Sequence, residues 1–208
     1  MSKKAIAQIL KITFHPIIIP FVALLLLFNS DNYLSLIPTS YQIKLYIIVL
    51  IINILLPIST YFFIYQFVAI NKDSLKKSKK RIYYGIFILS NIFAYALFNR
   101  IGESISNLIP FIFLTTTIVS IIVFLISFKI DIDLQMTSLG AITGFVSLIS
   151  IIYHTDLINY LILLFSLAGI VGTLLLFSKK INETQIFVGF ATGFFSTLLI
   201  LFFLRLFL

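Results

Sequence analysis

Long apolar runs separated by short polar stretches organise this chain. Hydrocarbon about 30 Å thick takes roughly 20 apolar residues of helix to cross. Seven runs approach that length: Ile12–Phe28, Leu45–Ile70, Ile82–Phe98, Leu108–Phe128, Thr137–Ile152, Leu157–Phe177 and Ile186–Phe207. Backbone polar groups in lipid must find partners within their own segment, so each run is predicted to be a helix. Pro57 interrupts the overlong second run and predicts a kink or tilt there. The fold class expected is all-α: a polytopic transmembrane helical bundle of about seven spans. No linker or low-complexity tract divides residues 1–208, which read as a single integral membrane domain.

The polar breaks differ in character. Asp131 to Gly144, DIDLQMTSLGAITG, sets a polar stretch centred on Gln135 directly before a small-residue helix face formed by Gly140 and Gly144. Gly189 and Gly193 repeat the four-residue spacing in the last run. Such spacing lets helices approach closely, so the fifth and seventh helices are expected to pack on each other or on a common neighbour.

Composition fixes the solvent. The chain has 208 residues, 61% hydrophobic and 11% charged, with a mean hydropathy of +1.15. A soluble domain of this length could not bury that much apolar surface. The absence of cysteine excludes disulfides and thiolate metal sites. The net charge of +8 comes from basic residues in the short breaks, which is a topology signal rather than a nucleic-acid footprint. With the N-terminus in the cytoplasm, that side receives Lys3, Lys4, Lys11, Lys72, Lys76, Lys77, Lys79, Lys80, Arg81, Lys129, Lys179 and Lys180. The other side receives Lys44, Arg100 and Arg205. The expected location is a bacterial inner membrane, with an uncleaved first anchor and a periplasmic C-terminus. Heavy use of Ile, Leu, Phe, Lys and Asn fits an A/T-rich bacterial genome.

Three breaks then face the cytoplasm together: Asn71–Arg81, Lys129–Gln135 and Ser178–Thr184. Their order and spacing resemble the type 2 phosphatidic acid phosphatase superfamily, especially its short polytopic members in Bacteroidetes. FHPIIIP, with His15, Pro16 and Pro20, resembles the opening His-Pro of those relatives. KKSKKRIYY resembles their basic run, with Arg81 at their Arg and Tyr84 about where they carry Pro. DIDLQMTSLGAITG places Gln135 at a His, and LLLFSKKINETQIFVGF, anchored on Gln185, Gly189 and Phe190, places Ile181 at a His and Leu175 at an Arg.

The resemblance implies a six-helix phosphatase-like core plus one helix, and a metal-free two-step phosphoryl transfer. One His attacks phosphorus, a second protonates the leaving oxygen, and Lys and Arg hold the phosphate. Gln135 cannot titrate near neutral pH and Ile181 cannot be a nucleophile. Only His15 and His154 remain in the chain, and the topology sets His154 on the far side. The sequence is therefore expected to be a degenerate scaffold, a pseudoenzyme without catalytic residues. It would serve as a non-catalytic subunit of a membrane complex or as a binder of anionic lipid headgroups. Lys77, Lys80, Arg81, Lys179, Lys180, Gln135, Gln185 and His15 would be the vestigial lipid- and phosphate-binding set. The alternative is an active phosphatase for phosphatidic acid or prenyl pyrophosphate that uses His15.

No cofactor, metal or nucleic-acid partner is expected; membrane lipids and other membrane proteins are. Asp131, Asp133 and Glu183 could suggest a hard-cation site, but the two aspartates at a helix start are expected to cap it. Asn53, Gln66, Asn91 and Thr115–Thr117 are polar at membrane depth yet uncharged, which weighs against an ion carrier.

Overall fold

The computed structural model describes residues 15–30, 33–67, 72–102, 108–177 and 181–204. Among the described residues there is no strand. The helices are α1 (Ile19–Phe28), α2 (Thr39–Leu50), α3 (Leu56–Phe67), α4 (Lys72–Gly102), α5 (Leu108–Ile126), α6 (Leu134–Tyr153), α7 (Ile158–Phe177) and α8 (Glu183–Leu204). Among the described residues five stretches are long and apolar enough to cross a membrane: Thr39–Thr60 and the helices α5, α6, α7 and α8. The run Ile82–Phe98 forms the later part of α4.

Several boundaries differ from the sequence expectation, each for a local reason. Ile12 to Phe14 of the first run lie outside the described residues; from there His15 is extended (φ −75°, ψ 139°), and a 3-10 turn, Pro16–Ile18, leads into α1. Pro16 disfavours helical backbone in the residue before it. A helix as short as α1 reaches only about half of the hydrocarbon thickness. The second run starts earlier, at Thr39, and α2 passes into α3 through a π-helical segment, Ile51–Leu55. Pro57, the second residue of α3, has no N–H to give the carbonyl four residues back, and the widened turn accommodates that loss.

The break Asn71–Arg81 is not a loop from Lys72 onward. It forms the first turns of α4, a helix of 31 residues. No Gly or Pro intervenes between Lys72 and Tyr84, and Lys, Leu and Arg are good helix formers. The fifth run also begins sooner, at Leu134, because Asp133 caps it.

The bundle is arranged around α6. Of its apolar window 72% is buried, against 50% for α5 and 28% each for α7 and α8. Helix α8 lies parallel to α6, since Gly140 and Gly144 meet Phe190 and Phe194 while Gly189 and Gly193 meet Asp133 and Thr137. A Cβ on Gly144 would stand 2.6 Å from the Phe194 carbonyl oxygen, and one on Gly189 2.8 Å from that of Asp133. At Gly140 and Gly193 the added carbon would overlap the carbonyl oxygens of Phe190 and Thr137 outright. All four obstacles are backbone, so none can swing away.

On its other sides α6 packs against α1 and α7. Ala23, Leu24, Leu27 and Phe28 of α1 share a core with Ile142, Phe145, Val146 and Ile149 of α6, together with Phe98 of α4 and Phe113 of α5. Phe98 and Phe113 stack at 4.9 Å with nearly parallel rings. Outward-facing Phe165, Phe187, Phe195 and Leu199 are exposed, as lipid-facing surface should be.

Gly140→Ala and Gly193→Ala are expected to destabilise the bundle by about 1–3 kcal/mol each through overpacking. Gly85 and Gly169 have nothing within 4 Å of an added Cβ, so Gly85→Ala and Gly169→Ala are expected to leave stability unchanged or slightly raised. Thermal unfolding of the purified variants in mild detergent checks both halves.

Candidate functional site: a half-enclosed cavity at the Asp133 end

Two helix starts meet at one end of the bundle. The Asp133 side chain accepts from the backbone N–H groups of Gln135 and Met136, both at 3.0 Å. Its own N–H donates to the Gln185 carbonyl at 3.4 Å. At the start of α8 the Gln185 Oε1 accepts from Asn182 N–H at 3.3 Å, one half of a capping box that satisfies an otherwise free donor. The stretches around Gln135 and Gln185 are therefore brought together, as converging breaks require.

Gln135 itself lies in the first turn of α6 and is 6% exposed, with no hydrogen-bond partner for its Oε1 among the described residues. It is a buried helical residue rather than part of an open polar stretch. Lys77, Lys80 and Arg81 fall on α4, but their side chains lie outside the described residues, and Lys179 and Lys180 lie outside them entirely.

The two imidazoles sit at different ends. His15 is half-buried; its Nδ1 accepts from Ile17 N–H at 3.4 Å, and Pro16 beside it lines the cavity described below. His154 ends α6 in the left-handed conformation (φ 52°, ψ 33°) and is exposed. A helix of 20 residues separates that cap from Asp133, about 30 Å of rise. The positions that the resemblance sets for Arg and His are apolar packing instead. Leu175 is 2% exposed in a cluster with Met136, Val171 and Ile186, and Ile181 packs against the same cluster. Asp131, Asp133 and Glu183 form no cluster suited to a metal ion among the described residues.

Beside these helix starts lies a cavity with an empty volume of about 640 Å³, its mouth included. Helices α4, α5 and α6 supply most of the wall, Pro16, Ile19 and Ala23 close one side, and Thr197 of α8 contributes from behind. From Leu134 to Phe145 the wall runs about 16 Å along α6. Tyr84 stands in this wall, 3% exposed, close enough to Asp131 and Asp133 to interact with them electrostatically.

Among the described residues the wall carries hydroxyls but no Asp, Glu, Lys, Arg or His. Thr116, Ser120, Thr137 and Ser138 each donate to the carbonyl four residues earlier, at 2.6–2.9 Å. Thr115 and Thr197 do not: each is 4% exposed, and neither hydroxyl has a hydrogen-bond partner among the described residues.

Sequence reading missed this cavity. Thr115 was visible as polar at membrane depth, but nothing in its spacing separates it from Thr116 and Thr117, which bond to their own helix. Thr197 carried no signal. The capping box Asn182-x-x-Gln185 was missed as well, although its four-residue pattern signals a helix start. No family model, curated protein or solved structure matches the chain.

Removing the α6 cap by Asp133→Ala is expected to cost about 0.5–2 kcal/mol, whereas Asp133→Asn should retain most of that stability. Chemical or thermal unfolding in detergent distinguishes the two variants.

Proposed function

We propose that the chain is a non-catalytic integral membrane protein, of phosphatase-like descent, that binds anionic lipid headgroups where α4 begins. The observation that carries this reading is the continuity of α4. Its 31 residues rise about 46 Å, against roughly 30 Å of hydrocarbon. The excess is the segment holding Lys72, Lys76, Lys77, Lys79, Lys80 and Arg81, with Asp73 its one acid. Each Lys or Arg near an anionic surface contributes on the order of 1 kcal/mol. Arg81 precedes the cavity residue Tyr84 by less than one turn of the same helix. The bias of basic residues puts this end on the cytoplasmic face.

The non-catalytic part of the proposal is supported by the residue inventory. Double imidazole chemistry needs two histidines at one site, and His15 and His154 stand at different ends of the bundle. Ile181 and Leu175 fill the matching positions with hydrocarbon.

Purified chain offered an equimolar mixture of phosphatidic acid and phosphatidylcholine should retain the anionic lipid preferentially, as read by native mass spectrometry. Lys80→Gln with Arg81→Gln is expected to weaken that retention by about ten- to thirty-fold. Equal retention of both lipids would overturn the headgroup reading. Phosphate release from phosphatidic acid or prenyl pyrophosphate, abolished by His15→Ala, would replace it with the enzymatic one.

A further inference from the structure

The cavity calls for a chemistry different from that of the basic end. Among the described residues its wall offers no formal charge to balance an ion, and an unpaired ion enclosed among apolar groups is strongly disfavoured. Whatever occupies it is therefore neutral. The cavity is half-open, so a ligand would enter it through the mouth rather than be sealed inside.

Two donors mark where a polar atom of that molecule belongs. A threonine inside a helix in lipid normally turns its hydroxyl to the carbonyl four residues back. Thr116 and Thr117 do so, at 2.8 Å each, whereas Thr115, next to them on the same helix, does not. Thr197 likewise leaves its hydroxyl unused, and both residues line the cavity. Two buried O–H groups without partners among the described residues, both on residues that line one apolar space, suit a hydrogen-bond acceptor brought in from outside.

Depth narrows the choice. Gly189 is level with Asp133 across the α6–α8 contact, so Thr197 lies about 12 Å farther into the bundle along α8. A glycerophospholipid held by its headgroup at the Asp133 end would present only methylenes there. The acceptor must belong to a molecule able to sink to that level.

We infer that the cavity binds an uncharged lipid bearing a carbonyl, whose oxygen accepts hydrogen bonds from Thr115 and Thr197. Such a carbonyl is found on a lipid-soluble quinone or on the ester of a diglyceride. The aromatic wall residues Tyr84, Phe87 and Phe145 suit a flat ring, and the long apolar wall suits a chain. This site is separate from the headgroup site proposed above and stands without it.

The test uses the full chain in mild detergent, titrated with a short-chain 1,4-naphthoquinone, with dioleoylglycerol and with squalene, which has no carbonyl. Binding is followed by native mass spectrometry. One or both carbonyl probes should bind saturably, and squalene at least ten-fold more weakly; the preferred probe identifies the source of the carbonyl. Thr115→Val and Thr197→Val keep shape and remove the donors. Each is expected to weaken the carbonyl probe about five-fold, with the ligand-free melting temperature unchanged or raised. Lys80→Gln with Arg81→Gln should leave this binding intact while lowering phosphatidic acid retention. Squalene binding as tightly as the carbonyl probes, unchanged affinity in the valine variants, or no binding of either carbonyl probe would overturn the inference. Loss of carbonyl binding in the charge-removed variant would also overturn it, by merging the two sites.

Discussion

Direct backbone contact between α6 and α8 is the constraint on which the bundle depends. In lipid there is no hydrophobic gain from bringing two apolar helices together, because acyl chains solvate them equally well. Association must come from close packing, and packing is closest where side chains are missing. Gly140 and Gly144 on one helix and Gly189 and Gly193 on the other remove the Cβ at successive crossings, so each helix presses on the carbonyls of its neighbour. The register follows, and with it the side-by-side placement of the two helix starts joined by the Asp133–Gln185 hydrogen bond. Because α8 occupies one flank of α6 so tightly, α1 and α7 take the other contacts, and the cavity lies where α4 and α5 stand opposite α6.

Polar groups within the bundle are handled by a single device. Nearly every hydroxyl on the membrane helices returns its proton to its own backbone: Ser90 to Phe87, Thr143 to Leu139 and Ser147 to Thr143 follow the pattern. Such groups cost little and recognise nothing. The exceptions therefore carry the information. Asn53 is fully buried in the π-helical segment, with neither its Nδ2 nor its Oδ1 bonded among the described residues. It stands four residues before Pro57, where a carbonyl has lost its usual donor. There the irregular backbone explains an irregular side chain. Thr115 and Thr197 sit in regular helix, so no backbone defect accounts for them, and what they share is a place in the cavity wall.

Periodicity and length made the helices legible, since little but helix can satisfy a backbone in lipid. The paired glycines made the central contact legible too, because four-residue spacing of small residues has one principal use there. The limits of those elements were harder to read. Hydropathy ends a span where charge begins, yet a helix does not stop at the membrane surface, and α4 carries its lysines as helix beyond that boundary. Conversely, Ile12–Phe28 reads as one apolar run, but Pro16 holds His15 extended and breaks it. The cavity was illegible because it is a property of five elements at once: Pro16, Tyr84, Thr115, Ser138 and Thr197 come from widely separated parts of the chain.

The two proposed sites divide the bundle by dielectric. At the start of α4 water is near, and a positive cluster can meet a phosphate without either partner being stripped of all its hydration. Along the inner wall, beyond Leu134, an anion would have to abandon water for methyl groups and a few hydroxyls, and the neighbouring carboxylates of Asp131 and Asp133 oppose its passage. In the proposed arrangement a headgroup is held at the surface, and the interior admits only what is neutral. Leu175 and Ile181 act in the same sense. By packing against Met136 and Ile186, they fill with hydrocarbon the ground between the starts of α6 and α8 and the end of α7, which keeps charge out of that part of the bundle.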